Sequence, residues 1–257
     1  RHNWHSELFG VEFYRTSHFL LRQWSEEGCR ELAAAVQEAG QQLGAEVIGL
    51  RVDCKDRLSL NALVRQGFDI VGHSVKMVLT KPKLDRALGQ NYTSTDNGAA
   101  GVCIRPGEET DQEALKRIAA ESHQCSHYFN DSRLKSEAVR RLFPEWVGRC
   151  CRGAAAAVLV AEAENKPVGF VTLLVNERLA EYTGQRAGVV DFIAVSPEVQ
   201  GRGMGRLLLA HALRWLAGKS DYVEVRTEWS NFRAVRFYQK AEMEMVSGDV
   251  DLHCWLE

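Results

Sequence analysis

The apolar positions of this chain change their period along its length, and each change marks an element. Residues 4–14 open on an aromatic-rich run, Trp4 to Gly10, and pass into strand-like alternation at Val11 to Tyr14. Residues 25–43 carry Leu32, Ala35, Val36 and Ala39 at helical spacing, with Ser25 placed to cap the start and Gly44 to end it. Alternation returns at 47–52 and predicts a strand. Residues 59–65 predict a short helix closed by Gly67, and 68–71 with 75–79 predict the arms of a hairpin. Residues 67–77 align without gaps on 242–252, and each block follows a short helix. That repeat makes the first part of the chain a degenerate half-copy of the second. A chance likeness between two hairpins is the alternative.

Residues 91–100 are small and polar and read as a boundary. They divide the chain into a first part, 1–97, and a second, 98–257. In the second part, 102–106 predicts a strand, and 110–122 a helix with Thr110 as cap and Glu113 completing a capping box. Residues 136–150 predict a helix with Val139, Leu142, Phe143 and Val147 on its apolar face, and Pro144 should kink or split it. Strands follow at 156–163, 168–175 and 189–195, then a helix at 206–217, a strand at 222–227, a helix at 231–240 and a closing hairpin. This order predicts an α/β fold with a mixed sheet.

Composition narrows the class. The 257 residues are enough for one large or two small domains. A formal charge of −2 gives no footprint for nucleic acid. No apolar run approaches the ~18–20 residues that span a bilayer, so no membrane partner is expected. The chain begins at Arg1 without a signal-peptide pattern, which implies trimming or a start within a longer chain. Seven cysteines at irregular spacing, none in a C-x-x-C pair, predict mostly buried thiols in a reducing cytoplasm. His123-Gln124-Cys125-Ser126-His127 places two imidazoles one helical turn apart, but zinc usually takes four ligands and no fourth is in view. No metal is expected.

The chemistry concentrates in Gln200-Gly201-Arg202-Gly203-Met204-Gly205, between the 189–195 strand and the helix starting at Arg206. The first N–H groups of a helix lack partners inside it and carry partial positive charge. Glycines remove the Cβ atoms that would hold an anion away from them, and Gln200 and Arg202 add donors. The stretch therefore predicts a pyrophosphate cradle. It is not a dinucleotide G-x-G-x-x-G loop at the head of a βαβ unit, and the Gly-Lys-Ser/Thr of a P-loop is absent.

With Ile193-Ala194-Val195-Ser196-Pro197 before it, the Q-x-x-G-x-G stretch resembles the signature of the GNAT family of acyl-CoA-dependent N-acetyltransferases. The resemblance implies a GNAT fold, a mixed and mostly antiparallel central sheet with flanking helices, at 98–257. A smaller, truncated GNAT-like α/β domain at 1–97 would precede it. Within the family, Phe9-Gly10-Val11, residues 63–79 and Ser126-His127-Tyr128-Phe129-Asn130-Asp131 resemble the TDP-fucosamine acetyltransferases, which acetylate a 4-amino sugar on a nucleotide. The chain departs from them at His127-Tyr128, where they carry Arg-Phe, at Glu228, where they carry Gln, and at Glu242-Met243, where they carry Gly-Phe. These departures spare the cofactor site and bear on the choice of sugar.

The resemblance implies acetyl-CoA as acetyl donor and a homodimer. It implies that the strand ending at Val195 splays from its neighbour, so that the pantetheine arm pairs with backbone groups of Ile193 and Val195 beside Ala194. Gln200, Gly201, Arg202, Gly203, Met204, Gly205 and Arg206 would hold the diphosphate. Asn231 would bind pantetheine or an ordered water, Phe237 would flank the coenzyme, and Tyr238 would protonate the departing thiolate. An ordinary phenol pKa of about 10 keeps a tyrosine protonated at neutral pH. Asp191, two residues before Ile193, should share its face. It is a candidate general base and equally fits a solvated strand carboxylate. Glu228 is a second candidate base, and His127, Tyr128 and Glu228 are candidate acceptor-binding residues. No Cys lies beside these residues in sequence, which favours direct transfer. The expected acceptor is a primary amine of a nucleotide-linked amino sugar. The alternatives are another small amine, such as an amino acid, polyamine or aminoglycoside, and a non-catalytic acyl-CoA-binding module.

Overall fold

The computed structural model describes residues 1–16, 24–90, 101–122 and 125–256. The expected boundary at 91–100 lies outside them. Among the described residues, nine strands form one sheet in the order β1-β2-β9-β3-β8-β7-β6-β5-β4. They are β1 (Phe13–Arg15), β2 (Val47–Asp53), β3 (Asp69–Thr80), β4 (Val102–Pro106), β5 (Ala157–Ala163), β6 (Lys166–Asn176), β7 (Ala187–Val195), β8 (Tyr222–Glu228) and β9 (Glu244–Trp255). Pairing is antiparallel except between β1 and β2 and between β7 and β8. Each parallel pair is joined by a helical crossover, α2 (Glu26–Gln42) for the first and α8 (Met204–Ala217) for the second. Parallel neighbours require such a crossover. The order β1-β2-β9-β3-β8-β7 thus reads alike from both ends, with β3 and β9 at its centre. These are the strands that carry the repeated sequence.

Helices α2, α3 (Arg57–Arg65), α4 (Lys81–Gln90), α8 and α9 (Phe232–Gln239) cover one face of the sheet, where Leu208, Leu213, Met77 and Val225 are fully or almost fully buried. The other face carries α1 (Asn3–Phe9), α5 (Gln112–Ser122) and α6 (Ser136–Arg149), packed on Phe13, Phe170 and Phe192. A short helix, α7 (Glu177–Thr183), links β6 to β7. Among the described residues no helix is long and apolar enough to cross a membrane.

Five local expectations change. Residues 68–79 form one strand rather than a hairpin, because Gly72, His73 and Ser74 pair with Asp251, Val250 and Asp249 of β9. A turn there would leave those backbone groups unpaired. The closing segment is likewise the single strand β9. On α2 the buried line is Cys29, Ala33 and Gly40, while Ala35 and Ala39 are exposed. A Cβ on Gly40 would stand 2.3 Å from Ile48, so this helix packs closely along its glycine. The capping box precedes α5 at Glu108 and Asp111 instead of Thr110 and Glu113. Arg105 holds Asp111 there through two bonds of 2.7 and 2.8 Å. Pro144 does not split α6, which continues from Ser136 to Arg149.

Candidate active site

The glycine stretch folds as its residue types require. A short turn, Pro197–Val199, leaves β7, and Gly201 and Gly203 take left-handed φ values of 79° and 85°. Such values cost an L-residue with a Cβ roughly 1–2 kcal/mol. Gly203 caps α8 with no side chain, so the first N–H groups of that helix are left for an anion. Arg202 and Arg206 are exposed beside them. Gln200 is held from both ends: its Nε2 donates to the Val195 carbonyl at 3.0 Å, and its Oε1 accepts from Arg233 Nη1 at 2.8 Å. The Phe237 ring lies 3.5 Å from where a Gly205 Cβ would stand. Met204 and Ala194 are buried core residues, so they can offer a ligand only backbone groups. Asn231 Oδ1 caps α9 by accepting from Ala234 N–H at 3.1 Å.

The fork beside this loop is visible in the pairing. Strands β7 and β8 are in register only from Ala187↔Tyr222 to Val190↔Val225. Ser196 N–H donates to Val168 O, so the backbone groups of 192, 194 and 196 turn toward β6. Those of Ile193 and Val195 alternate toward the fork. The Val195 carbonyl is not free for a ligand, contrary to expectation. It accepts from both Ser122 Oγ and Gln200 Nε2, each at 3.0 Å. The Val195 N–H faces the fork.

Asp191 sits at the mouth of the fork, one residue past the last paired position. It does not share a face with Ile193. The register of β6 and β7 slips between Thr172↔Phe192 and Leu173↔Val190, which makes Asp191 the extra residue of a β-bulge. The bulge turns its side chain to the α6 face, where Trp146 Nε1 and Thr172 Oγ1 donate to Oδ2 at 2.7 and 3.0 Å. Ile193 remains on the α8 face. Asp191 is therefore no solvated strand carboxylate. Burial raises its pKa above the ordinary carboxylate range, against the pull of the two donors.

A cavity of about 380 Å³ opens on this face between the sheet, α1 and α6, lined by Asp191, His127, Tyr128, Glu228 and Asp251 among others. The acceptor-side candidates are thus brought together. Tyr128 is less available than the others, since its hydroxyl lies 3.3 Å from His5 Nδ1 and its ring packs on Phe9. Burial pushes the His5 imidazole down to about 2, so it stays neutral. Glu228 Oε1 accepts from the His127 backbone N–H and lies 3.0 Å from His127 Nδ1. Cys125 also lines the cavity, which sequence separation concealed. Tyr238 lies across the sheet, 5% exposed, in the α8-face core with Ile193 and Val195, and its ring meets Phe237 edge-on at 5.1 Å. Burial raises its phenol pKa.

Sequence reasoning missed Trp146, Thr172, Arg51 and Asp251. The alternation of Val250, Leu252 and Cys254 with Asp251 and His253 resembles one solvated face, and nothing in the sequence announces that His127, Tyr128 and Asp131 pack over it. His127, Glu228 and Asp251 also place one ligand atom each within 4.8 Å of one another. This is a different group from the His123–His127 run, of which His123 and Gln124 lie outside the described residues.

Residues 114–243 match the acetyltransferase (GNAT) family. Among curated proteins the chain is 27% identical over 153 residues to the spore coat polysaccharide biosynthesis protein SpsD of Bacillus subtilis, covering 59% of this chain and 50% of that one. It is 28% identical over 156 residues to a mycothiol acetyltransferase of Kineococcus radiotolerans, covering 59% and 46%. The chain thus spans about half the length of these two relatives. Against the peptidyl-lysine N-acetyltransferase YjaB of Salmonella typhimurium it is 30% identical over 139 residues, covering 54% and 81%. Its fold is similar to a conserved protein of Staphylococcus epidermidis, with a TM-score of 0.62 at 14% identity over 95% of this chain and 84% of that one. A tandem GNAT protein from the clavulanic acid biosynthesis pathway aligns with a TM-score of 0.60 at 14% identity, over 96% and 76%. The family match takes in half of the chain and contains the glycine stretch, the bulged strand and the helix bearing Tyr238, so this chain belongs to the acetyltransferase (GNAT) family.

Proposed function

We propose that this chain transfers an acetyl group from acetyl-CoA directly to a primary amine of a small polar acceptor bound in the cavity. The observation that carries the reading is the β7–β8 fork, with an uncapped, glycine-lined helix start at its end and a half-buried, hydrogen-bonded carboxylate at its mouth. The residues present fit the coenzyme: left-handed glycines, unpaired N–H groups at the start of α8, exposed Arg202 and Arg206, and the Val195 N–H facing the fork. When bound, acetyl-CoA supplies the thioester whose acetyl group is transferred.

The chain's own residues would divide the remaining work. Asp191 accepts the proton of the acceptor ammonium, directly or through one water, and its raised pKa brings it closer to a working base. The Val195 N–H is a fixed dipole for the negative charge that develops on the carbonyl oxygen. Tyr238, kept protonated by burial, gives its proton to the sulfur as the C–S bond breaks and the new C–N bond forms; the nitrogen then loses its second proton through solvent, and the phenol is restored with one proton in exchange. A Val at 203 would strain the loop and crowd the helix start. Gly203→Val is expected to weaken acetyl-CoA binding about tenfold or more, from roughly 1–2 kcal/mol of strain, read by calorimetry.

The cavity volume lies at the lower end of the ~300–1,000 Å³ range of small-ligand sites. This favours a small amine over a nucleotide-linked amino sugar. The relatives' names differ in the acceptors they mention, so they do not select one. The mirrored strand order supports reading 1–97 as a truncated copy of the fold and 98–257 as the GNAT domain, with the first part supplying one wall of the acceptor site. The test is CoA thiol release with a panel of small amines and TDP- and UDP-amino sugars. Turnover is expected with a small amine. Turnover with a nucleotide sugar alone would reinstate the larger acceptor, and release with none of them would remove the activity.

A further inference from the structure

One carboxylate in the cavity has no partner for half of its charge. Asp251 is 4% exposed. Its Oδ1 accepts from Arg51 Nε at 2.7 Å, while its Oδ2 is buried without a hydrogen bond. An unsatisfied buried carboxylate oxygen costs more than a neutral one, and here it lines the cavity. Glu228 and His127 bring ligand atoms within 4.8 Å of one another and of Asp251.

The convergence is built on Gly72. Asp251 and Glu228 belong to β9 and β8, with β3 between them. Gly72 of β3 pairs with Asp251. A Cβ at Gly72 would stand 2.4 Å from the His127 Cβ and 3.4 Å from Glu228 Oε2. The missing side chain lets all three groups meet over the middle strand.

We propose that this trio binds a second cationic group of the acceptor, distal to the amine that is acetylated. The substrate class is then a diamine or similar dibasic compound. This rests on the proposed amine acetylation. Along the cavity the three carboxylates of Asp191, Glu228 and Asp251 face the two guanidiniums of Arg15 and Arg51, an excess of one negative charge that an ammonium neutralises. The next cation, Arg226, is already paired with Asp249. An ammonium has three N–H donors, and Asp251 Oδ2, the Glu228 carboxylate and the imidazole offer three acceptors. A divalent metal would overshoot that charge and lacks the usual fourth protein ligand of a closed zinc site. The trio sits over β3, two strand positions from Asp191 on β7. At ~4.8 Å per strand, and more where β7 and β8 part, the two basic groups are at least about 10 Å apart. A nucleotide-linked monoamino sugar has no second cation to place there.

The test compares kcat/KM for diaminoheptane and heptylamine in the full chain, with CoA release as readout. The wild type is expected to favour the diamine by tenfold to a hundredfold, the scale of a hydrogen bond to a charged group, and the preference should lie in KM. Asp251→Asn and Glu228→Gln should each cut that ratio about tenfold or more. The second variant carries the test if the first fails to fold. Equal use of both amines by the wild type, or a ratio unchanged in a folded variant, overturns the inference while leaving amine acetylation standing. A ratio abolished by a chelator and restored by zinc overturns it in favour of a metal. Release with neither amine nor any other removes the parent reading instead.

Discussion

Asp191→Asn is expected to lower kcat by roughly a hundredfold or more, the usual worth of a positioned general base, and to raise thermal stability. The two effects share one cause. Burial against α6 raises the Asp191 pKa above the ordinary carboxylate range. Between the unfolded and the raised folded pKa, the native state keeps a proton that the unfolded chain has released. Stability therefore falls as pH rises through that window. At neutral pH the charged carboxylate is a burden that Asn removes, and the Asn side-chain oxygen can still accept from Trp146 and Thr172. Wild-type kcat/KM should fall on acidification through the raised pKa, and the variant should lose that limb. The stability gain should shrink as the pH approaches the ordinary carboxylate range. Melting curves and rate profiles across pH read both. An activity unchanged by the substitution removes Asp191 from its role.

Tyr238→Phe should cost a comparable factor in kcat, roughly a hundredfold to a thousandfold, with a smaller effect on KM. The substitution keeps the ring that packs on Phe237 and removes only the hydroxyl. Because burial raises this phenol's pKa, Tyr238 remains a donor throughout the neutral range and should contribute no alkaline limb below the ordinary tyrosine pKa. Single-turnover rates with acetyl-CoA and a small amine isolate the step. Equal rates in the two proteins assign Tyr238 to packing alone and send the search for the proton donor elsewhere, Cys125 first, since it lines the cavity with Asp191.

What could be read in advance was local. Gly201 and Gly203 before a helix, and Gly205 in its first turn, read as an anion cradle because backbone conformation and helix-end dipoles depend on a few adjacent residues. The alternation at 189–195 and the helical spacing after it gave the elements around the loop for the same reason. The repeat of 67–77 at 242–252 was legible as pattern, yet its consequence was not. The two copies are strands that pair with each other at the sheet centre, and neither is a hairpin. Three features of the site were decided only in three dimensions. The face of Asp191 depends on a one-residue slip against β6, and a slip inverts every side chain. The partners of Asp191 come from Trp146 on α6 and Thr172 on β6, elements that sequence distance does not relate. Asp251 and Glu228 converge because Gly72, on the strand between them, has no side chain, and His127 settles into the space. Sequence specifies which backbone conformations and charges are at hand; packing specifies which of them meet.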